Sequence, residues 1–199
     1  GAFPTRNFQT SFADHYKDIN GKQILERLKI TDKGCFCCPT PCGKYGHAKT
    51  GLGSAHVEGP EFETIYSLGG LNCIDSLEEI AYLNDLCDRL GIDTMSAGNL
   101  TAFATEAYKL SKIDFEIDYN QPDRMAELLE AIAYRRGIGE TFADGIKQAS
   151  KMLELEDIAV HVKGLEPAGF DPRVLKGMGL SYATSARGAC HLRGTFYKA

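Results

Sequence analysis

The chain has 199 residues, 43% apolar and 25% charged, enough to bury a sizeable core in one domain or two small ones. A formal net charge of -5 leaves no basic stripe of the kind a phosphate backbone demands, which argues against nucleic acid as a partner. No apolar run approaches the roughly 18 residues that cross a bilayer, and Gly1-Ala2-Phe3-Pro4 is unlike a secretory leader, so a cytoplasmic protein is expected. Seven cysteines, four of them crowded between positions 35 and 42, are an odd set unlike a secreted disulfide framework.

In chain order, Ile24, Leu25, Leu28 and Ile30 mark one face of a helix over Ile19 to Ile30, ended by the polar turn Thr31-Asp32-Lys33-Gly34. That turn feeds Cys35-x-x-Cys38-x-x-x-Cys42, bracketed by Gly34, Pro39, Pro41 and Gly43. From Pro39 to Pro60 the chain reads as a glycine-rich irregular loop carrying His47 and His56, and loops of that length are usually functional or disordered. Ser76-x-x-Glu79 is a capping box, and the helix it opens carries Ile80, Leu83 and Leu86 to a stop at Gly91. Cys73 and Cys87, set among Leu71, Ile74, Leu83 and Leu86, read as small buried hydrophobes. Helical spacing continues over Ala102 to Leu110, from Pro122 to Gly137 and over Thr141 to Leu153. Phe115 to Ile117 and Ala159 to Val162 alternate like strands but are too short for a sheet. Asp171-Pro172-Arg173 resembles a cap and first helical turn, and Gly177, Gly179 and Gly188 should loosen the C-terminal stretch. The expected fold class is all-α, multihelical, with residues 1–160 forming a helical domain around the cysteine loop and 161–199 beginning a second one.

Three closely spaced thiolates suit one corner of an iron-sulfur cube, with a fourth ligand still to be found. Structural zinc is the second reading, closed by Cys37, His47, His56 or Cys190. The spacing leaves open a zinc-stapled interaction module, an electron-transfer fragment holding only a cluster, and a redox enzyme.

Taken together, several segments decide what spacing cannot. They are the cysteine motif, Glu58-Gly59-Pro60-Glu61-Phe62-Glu63-Thr64, Asp88-Arg89-Leu90-Gly91-Ile92-Asp93-Thr94, Lys163-Gly164-Leu165-Glu166-Pro167, Asp171-Pro172-Arg173, Gly177 to Ser185 and Cys190-His191-Leu192-Arg193. In this order they resemble the C-terminal helical region of the aldehyde ferredoxin oxidoreductase family, the tungsten-pterin enzymes. The resemblance implies a [4Fe-4S] cluster beside a tungsten (or molybdenum) bis-pterin. It also implies oxidation of a small aldehyde to a carboxylic acid with ferredoxin as electron acceptor; some relatives reduce aromatic thioesters or accept phosphorylated aldehydes. The family's N-terminal cofactor-base domain and C-terminal remainder would flank this chain, which alone should be inactive; a homo-oligomer is compatible with the sequence.

Residue by residue, the resemblance gives Cys35, Cys38 and Cys42 as cluster ligands, the fourth lying beyond the chain. Asp88, Gly91, Ile92 and Asp93 match the first pterin-binding motif, where a helix-ending glycine permits close approach and carboxylates accept from pterin N–H groups. The same residues read alone make a helix-terminating turn with solvated aspartates. Arg193 matches a basic position near the second pterin, suited to its phosphate. Glu63 and His191 match the active-site glutamate and histidine, one to take a proton and one to polarise a carbonyl. Glu58 and Glu61 have the same chemistry as Glu63, and His191 read alone is a half-buried structural histidine. Phe62, Tyr66, Met95 and Phe103 are either pocket lining or core.

Overall fold

The computed structural model describes residues 2–194 and 196. It is mostly helical, with a small three-stranded antiparallel sheet in the order β1-β2-β3, so the all-α expectation needs that one correction. The expected first helix is the site of the change. Asn20 caps a short α1 (Gly21–Gln23), its side chain accepting from the Lys22 and Gln23 amides, and α1 continues as a π-helix over Ile24–Leu28. There the helix stops, because Lys29–Lys33 pairs as β1 with β2 (Gly43–Thr50). Leu28 is buried, while Ile30 is 59% exposed on the edge strand.

The presumed long loop is a hairpin. β2 turns through Gly51-Leu52 into β3 (Gly53–Glu58), with Thr50 opposite Gly53, a two-residue connection of the kind that fits strand twist. Ala48, Ala55 and Val57 face inward onto Leu28, Leu77 and Ala81. Only the cysteine segment between β1 and β2 remains irregular. The strand-like stretches at 115–117 and 159–162 form no strand, although Val162 makes an isolated bridge to Leu165.

After a cis Gly59-Pro60 bond, α2 (Phe62–Thr64) runs into a fully buried π-helix over Ile65–Gly70. The next helix agrees with its sequence signals: α3 is Leu77–Leu90, the Ser76 hydroxyl accepts from the Glu79 amide at 3.3 Å, and Gly91 closes it at φ 70°. That left-handed value is one a glycine adopts without strain. By contrast, α4 (Thr94–Lys109) begins eight residues before the periodic signal at Ala102. Residues Ala97 to Thr105 are all buried, so this stretch has no polar face to produce an amphipathic pattern. Gly98 lies where a Cβ would fall on the Ser67 carbonyl, which lets α4 lie directly against the π-helix.

Beyond α5 (Pro122–Ala133), Gly145 at φ 83° splits the expected Thr141-to-Leu153 helix into α6 (Gly139–Phe142) and α7 (Ile146–Leu153). The main core includes Leu68, Leu83, Phe103, Leu128 and Phe142. Phe103 is therefore core and not pocket lining, its ring 6.3 Å from that of Phe142. Asp171 does cap a turn, accepting from the Arg173 amide at 2.9 Å, but α8 is Lys176–Thr184 and includes both Gly177 and Gly179. Cys87 is fully buried as expected, whereas Cys73 is only half-buried. No helix among the described residues is long and apolar enough to cross a membrane.

Candidate functional site

Glu63 sits in the single α-helical turn that enters the buried π-helix, so its backbone is anchored by residues that have no solvent-facing alternative. Its Oε2 accepts from the Gly169 amide at 2.8 Å. His191 Nε2 stands 3.8 Å from Glu63 Oε1, close but longer than a direct hydrogen bond, with both side chains about one-fifth exposed (19% and 20%). Burial pushes the Glu63 carboxyl above its usual value, opposed by the Gly169 amide and by His191. Phe170 lies between the flanking rings, 5.2 Å from Phe62 and 6.4 Å from His191. Glu63 and His191, 128 positions apart, are thus brought together.

The segment that holds Glu63 also places a second acid. Val162 and Leu165 exchange backbone hydrogen bonds at 3.0 and 3.1 Å, and the turn between them is tied by the Lys163 ammonium to the Ser185 and Ala186 carbonyls. Glu166 comes next, only 5% exposed, and its Oε2 accepts from the Ser96 hydroxyl at 3.2 Å. One residue on, the Pro167 carbonyl accepts from the buried Tyr66 hydroxyl at 3.1 Å, and Gly169 reaches Glu63. Burial raises the Glu166 carboxyl above its usual value, and Asp93 adds to the rise. Lys163 to Pro167 contributes to the family resemblance, yet the sequence marks no role for Glu166; the missing signal is burial, which spacing does not encode.

Glu166, Asp93, Ser96, Arg187, Cys190 and His191 are among the residues lining one cavity of about 430 Å³. Asp93 stands at the start of α4, its Oδ2 accepting from the Ser96 amide at 2.8 Å. Burial alone would raise the Cys190 thiol, but the Leu192 and Arg193 amides and the Arg187 and Arg193 charges hold it below its usual value. Met95 also lines this cavity. Asp88, Gly91 and Arg193 do not, and all three are exposed; Ile92 is half-buried against the main core. Asp88 accepts from the Asn84 side-chain amide at 2.9 Å, and burial raises its carboxyl.

Cys35, Cys38 and Cys42, together with Cys37, are free and exposed on the loop between β1 and β2. The loop is closed by the Cys38 amide on the Cys35 carbonyl (3.0 Å) and the Cys42 amide on the Thr40 carbonyl (2.9 Å), with Cys37 at φ 59°. Among the described residues no three His, Cys, Asp or Glu side chains are gathered tightly enough to hold one metal ion. His47 lies four strand positions beyond Gly43, about 13 Å at ~3.3 Å per residue, too far to close a zinc site with the loop. The donor chemistry suits three corners of a cluster, with the fourth ligand still to be supplied. In the 430 Å³ cavity, carboxylates at Asp93 and Glu166 suit the N–H edge of a pterin. A larger apolar cavity of about 690 Å³ runs past Cys42, Lys44, Pro60, Glu61 and Phe62 against the N-terminal segment.

The family model for aldehyde ferredoxin oxidoreductase, domains 2 and 3, matches residues 1–199. The chain is 36% identical to the tungsten-containing aldehyde ferredoxin oxidoreductase of Thermococcus kodakarensis and 34% identical to that of Pyrococcus furiosus, over 97% of this chain in each case. It spans about a third (33%) of the length of those relatives. Among solved structures it is similar to the active site complex BamBC of benzoyl coenzyme A reductase in complex with 1,5-dienoyl-CoA, at a TM-score of 0.73 and 22% identity. That likeness covers 94% of this chain and 29% of the other, and at such identity it is one of fold alone. With a family model matched from end to end, the chain belongs to the aldehyde ferredoxin oxidoreductase family.

Proposed function

We propose that this chain is the part of an aldehyde-oxidising oxidoreductase that carries its acid–base pair, Glu63 and His191, and three of its cluster thiolates, Cys35, Cys38 and Cys42. The observation that carries the reading is the approach of His191 Nε2 to Glu63 Oε1 at 3.8 Å, with the other Glu63 oxygen fixed by the Gly169 amide. A carboxylate with one oxygen fixed and its pKa raised is suited to take a proton at the free oxygen. His191 donates a hydrogen bond to the carbonyl oxygen of an aldehyde, favouring the charge that develops there. Asp93, at the start of α4, together with Asp88, Gly91, Ile92 and Arg193, would hold the pterins. When bound, the tungsten-pterin group would supply two-electron redox chemistry, and Cys35, Cys38 and Cys42 would hold a [4Fe-4S] cluster suited to one-electron exchange with ferredoxin.

Because the chain spans about a third of its relatives' length, turnover requires the remainder of the protein. The test is Glu63→Gln in the full-length protein, assayed for aldehyde oxidation alongside tungsten analysis. General acid–base roles contribute about 10²–10⁴-fold, so kcat should fall by at least about 100-fold with tungsten retained. Full activity would remove Glu63 from the chemistry.

A further inference from the structure

The outer face of the β2–β3 hairpin presents two imidazoles that the proposed chemistry does not use. His47 and His56 are directly opposite in the register, and their rings lie 4.4 Å apart at centroids with an interplanar angle of 32°. Their inward-facing neighbours Ala48, Ala55 and Val57 are buried, so the pleat fixes both histidines on the other face of the sheet. His56 is exposed and His47 half-buried. The Tyr45 ring stacks beside His56 at 6.0 Å and 21°. Along this face Glu58, two residues beyond His56, is paired with Lys33 (Nζ to Oε2 2.7 Å), and the exposed Lys49 lies two residues beyond His47.

We propose that His47 and His56 form a binding site for a divalent transition metal such as zinc, distinct from the cysteine loop. Directly opposed residues on an antiparallel pair have Cβ atoms roughly 4.5–5.5 Å apart, so side-chain rotation alone brings one nitrogen of each ring to the about 2.0–2.1 Å that zinc requires. Imidazole is a ligand that suits zinc, copper and nickel, whereas calcium and magnesium prefer oxygen. The β2–β3 ladder runs through His47 and His56 themselves, from Tyr45↔Glu58 to Thr50↔Gly53, so the chelate is largely pre-organised. No third His, Cys, Asp or Glu among the described residues joins the pair, so water completes the coordination and the ion exchanges with solvent. The strand spacing that separates His47 from Cys42 keeps this ion apart from anything the thiolates hold.

The test is equilibrium dialysis of the full-length protein against zinc above pH 7, with zinc, iron and tungsten counted per chain. Wild type should take up one more zinc than either His47→Ala or His56→Ala, and each variant should weaken that uptake about tenfold or more while iron and tungsten stay unchanged. X-ray absorption at the zinc edge of wild type provides a second measurement that needs no variant: two imidazole shells at about 2.0 Å are expected. Zinc uptake equal in wild type and both variants would overturn the site. So would sulfur scattering at about 2.3 Å, or uptake abolished by Cys38→Ser and not by the histidine variants, since both would assign the ion to the cysteine loop.

Discussion

Asn72 joins the two helices that position the site, and removing its side chain should loosen both. It is 1% exposed, and its Nδ2 donates to the Ser67 carbonyl at 2.8 Å and to the Gly98 carbonyl at 2.9 Å. Ser67 belongs to the π-helix that continues from Glu63, and Gly98 to the helix that Asp93 caps. Asn72→Ala deletes two buried hydrogen bonds worth about 1 kcal/mol each. It also leaves the Ser67 carbonyl short of a donor, so the loss should be about 2–4 kcal/mol. For a chain of this size 1 kcal/mol moves Tm by about 2–4 °C, so thermal unfolding followed by circular dichroism should show a drop of roughly 4–16 °C. Asn72→Asp preserves shape but offers no N–H, so at pH 7 it should cost at least as much, and the deficit should shrink in acid as the carboxyl gains an O–H donor. A shift below about 2 °C for Asn72→Ala would refute the reasoning, because it would mean that neither carbonyl depends on this amide.

Glu166 has its folded pKa raised by burial, so its contribution to stability is present below the unfolded value and is lost as pH rises through the folded value. Glu166→Gln should therefore gain in Tm relative to wild type as pH rises above the ordinary carboxylate range, and a pH-independent difference would contradict this. Gly98→Ala puts a methyl group on the Ser67 carbonyl and should destabilise by about 3 kcal/mol or more, read as a lower urea midpoint; a wild-type midpoint would show that the two helices separate freely. Asp93→Ala should cost about 1 kcal/mol by removing the cap on the Ser96 amide, whereas Asp93→Asn keeps the cap. Pterin content of the full-length Asp93→Asn protein then isolates the ligand role: a normal pterin content would assign Asp93 to capping alone.

Local signals were readable where one residue type answers one backbone need. Ser76 accepts the Glu79 amide, Gly91 takes the left-handed turn, and α3 between them is where the pattern puts it. The sheet was hidden because its inward face is built from Ala48, Ala55 and Val57 with Gly43 and Gly46 buried beside them, leaving too little apolar contrast to alternate visibly. Gly46 is small for a reason, since a Cβ would sit 2.9 Å from the Leu28 carbonyl oxygen. The buried start of α4 was hidden for the opposite reason, being enclosed on all sides.

By itself the sequence determined the helix boundaries that carry caps, the cysteine loop, and the ordered motifs that mark the family. Only the tertiary structure decided which acids share a site. Glu63 meets His191 because one hydrogen-bonded segment, from Val162 to Gly169, packs across Tyr66 and passes an amide to Glu63. The same segment seats Glu166 beside Asp93 and Ser96. Contacts between positions more than 100 residues apart depend on how buried helices stack, and periodicity within a helix shows which face is buried but not what that face will meet.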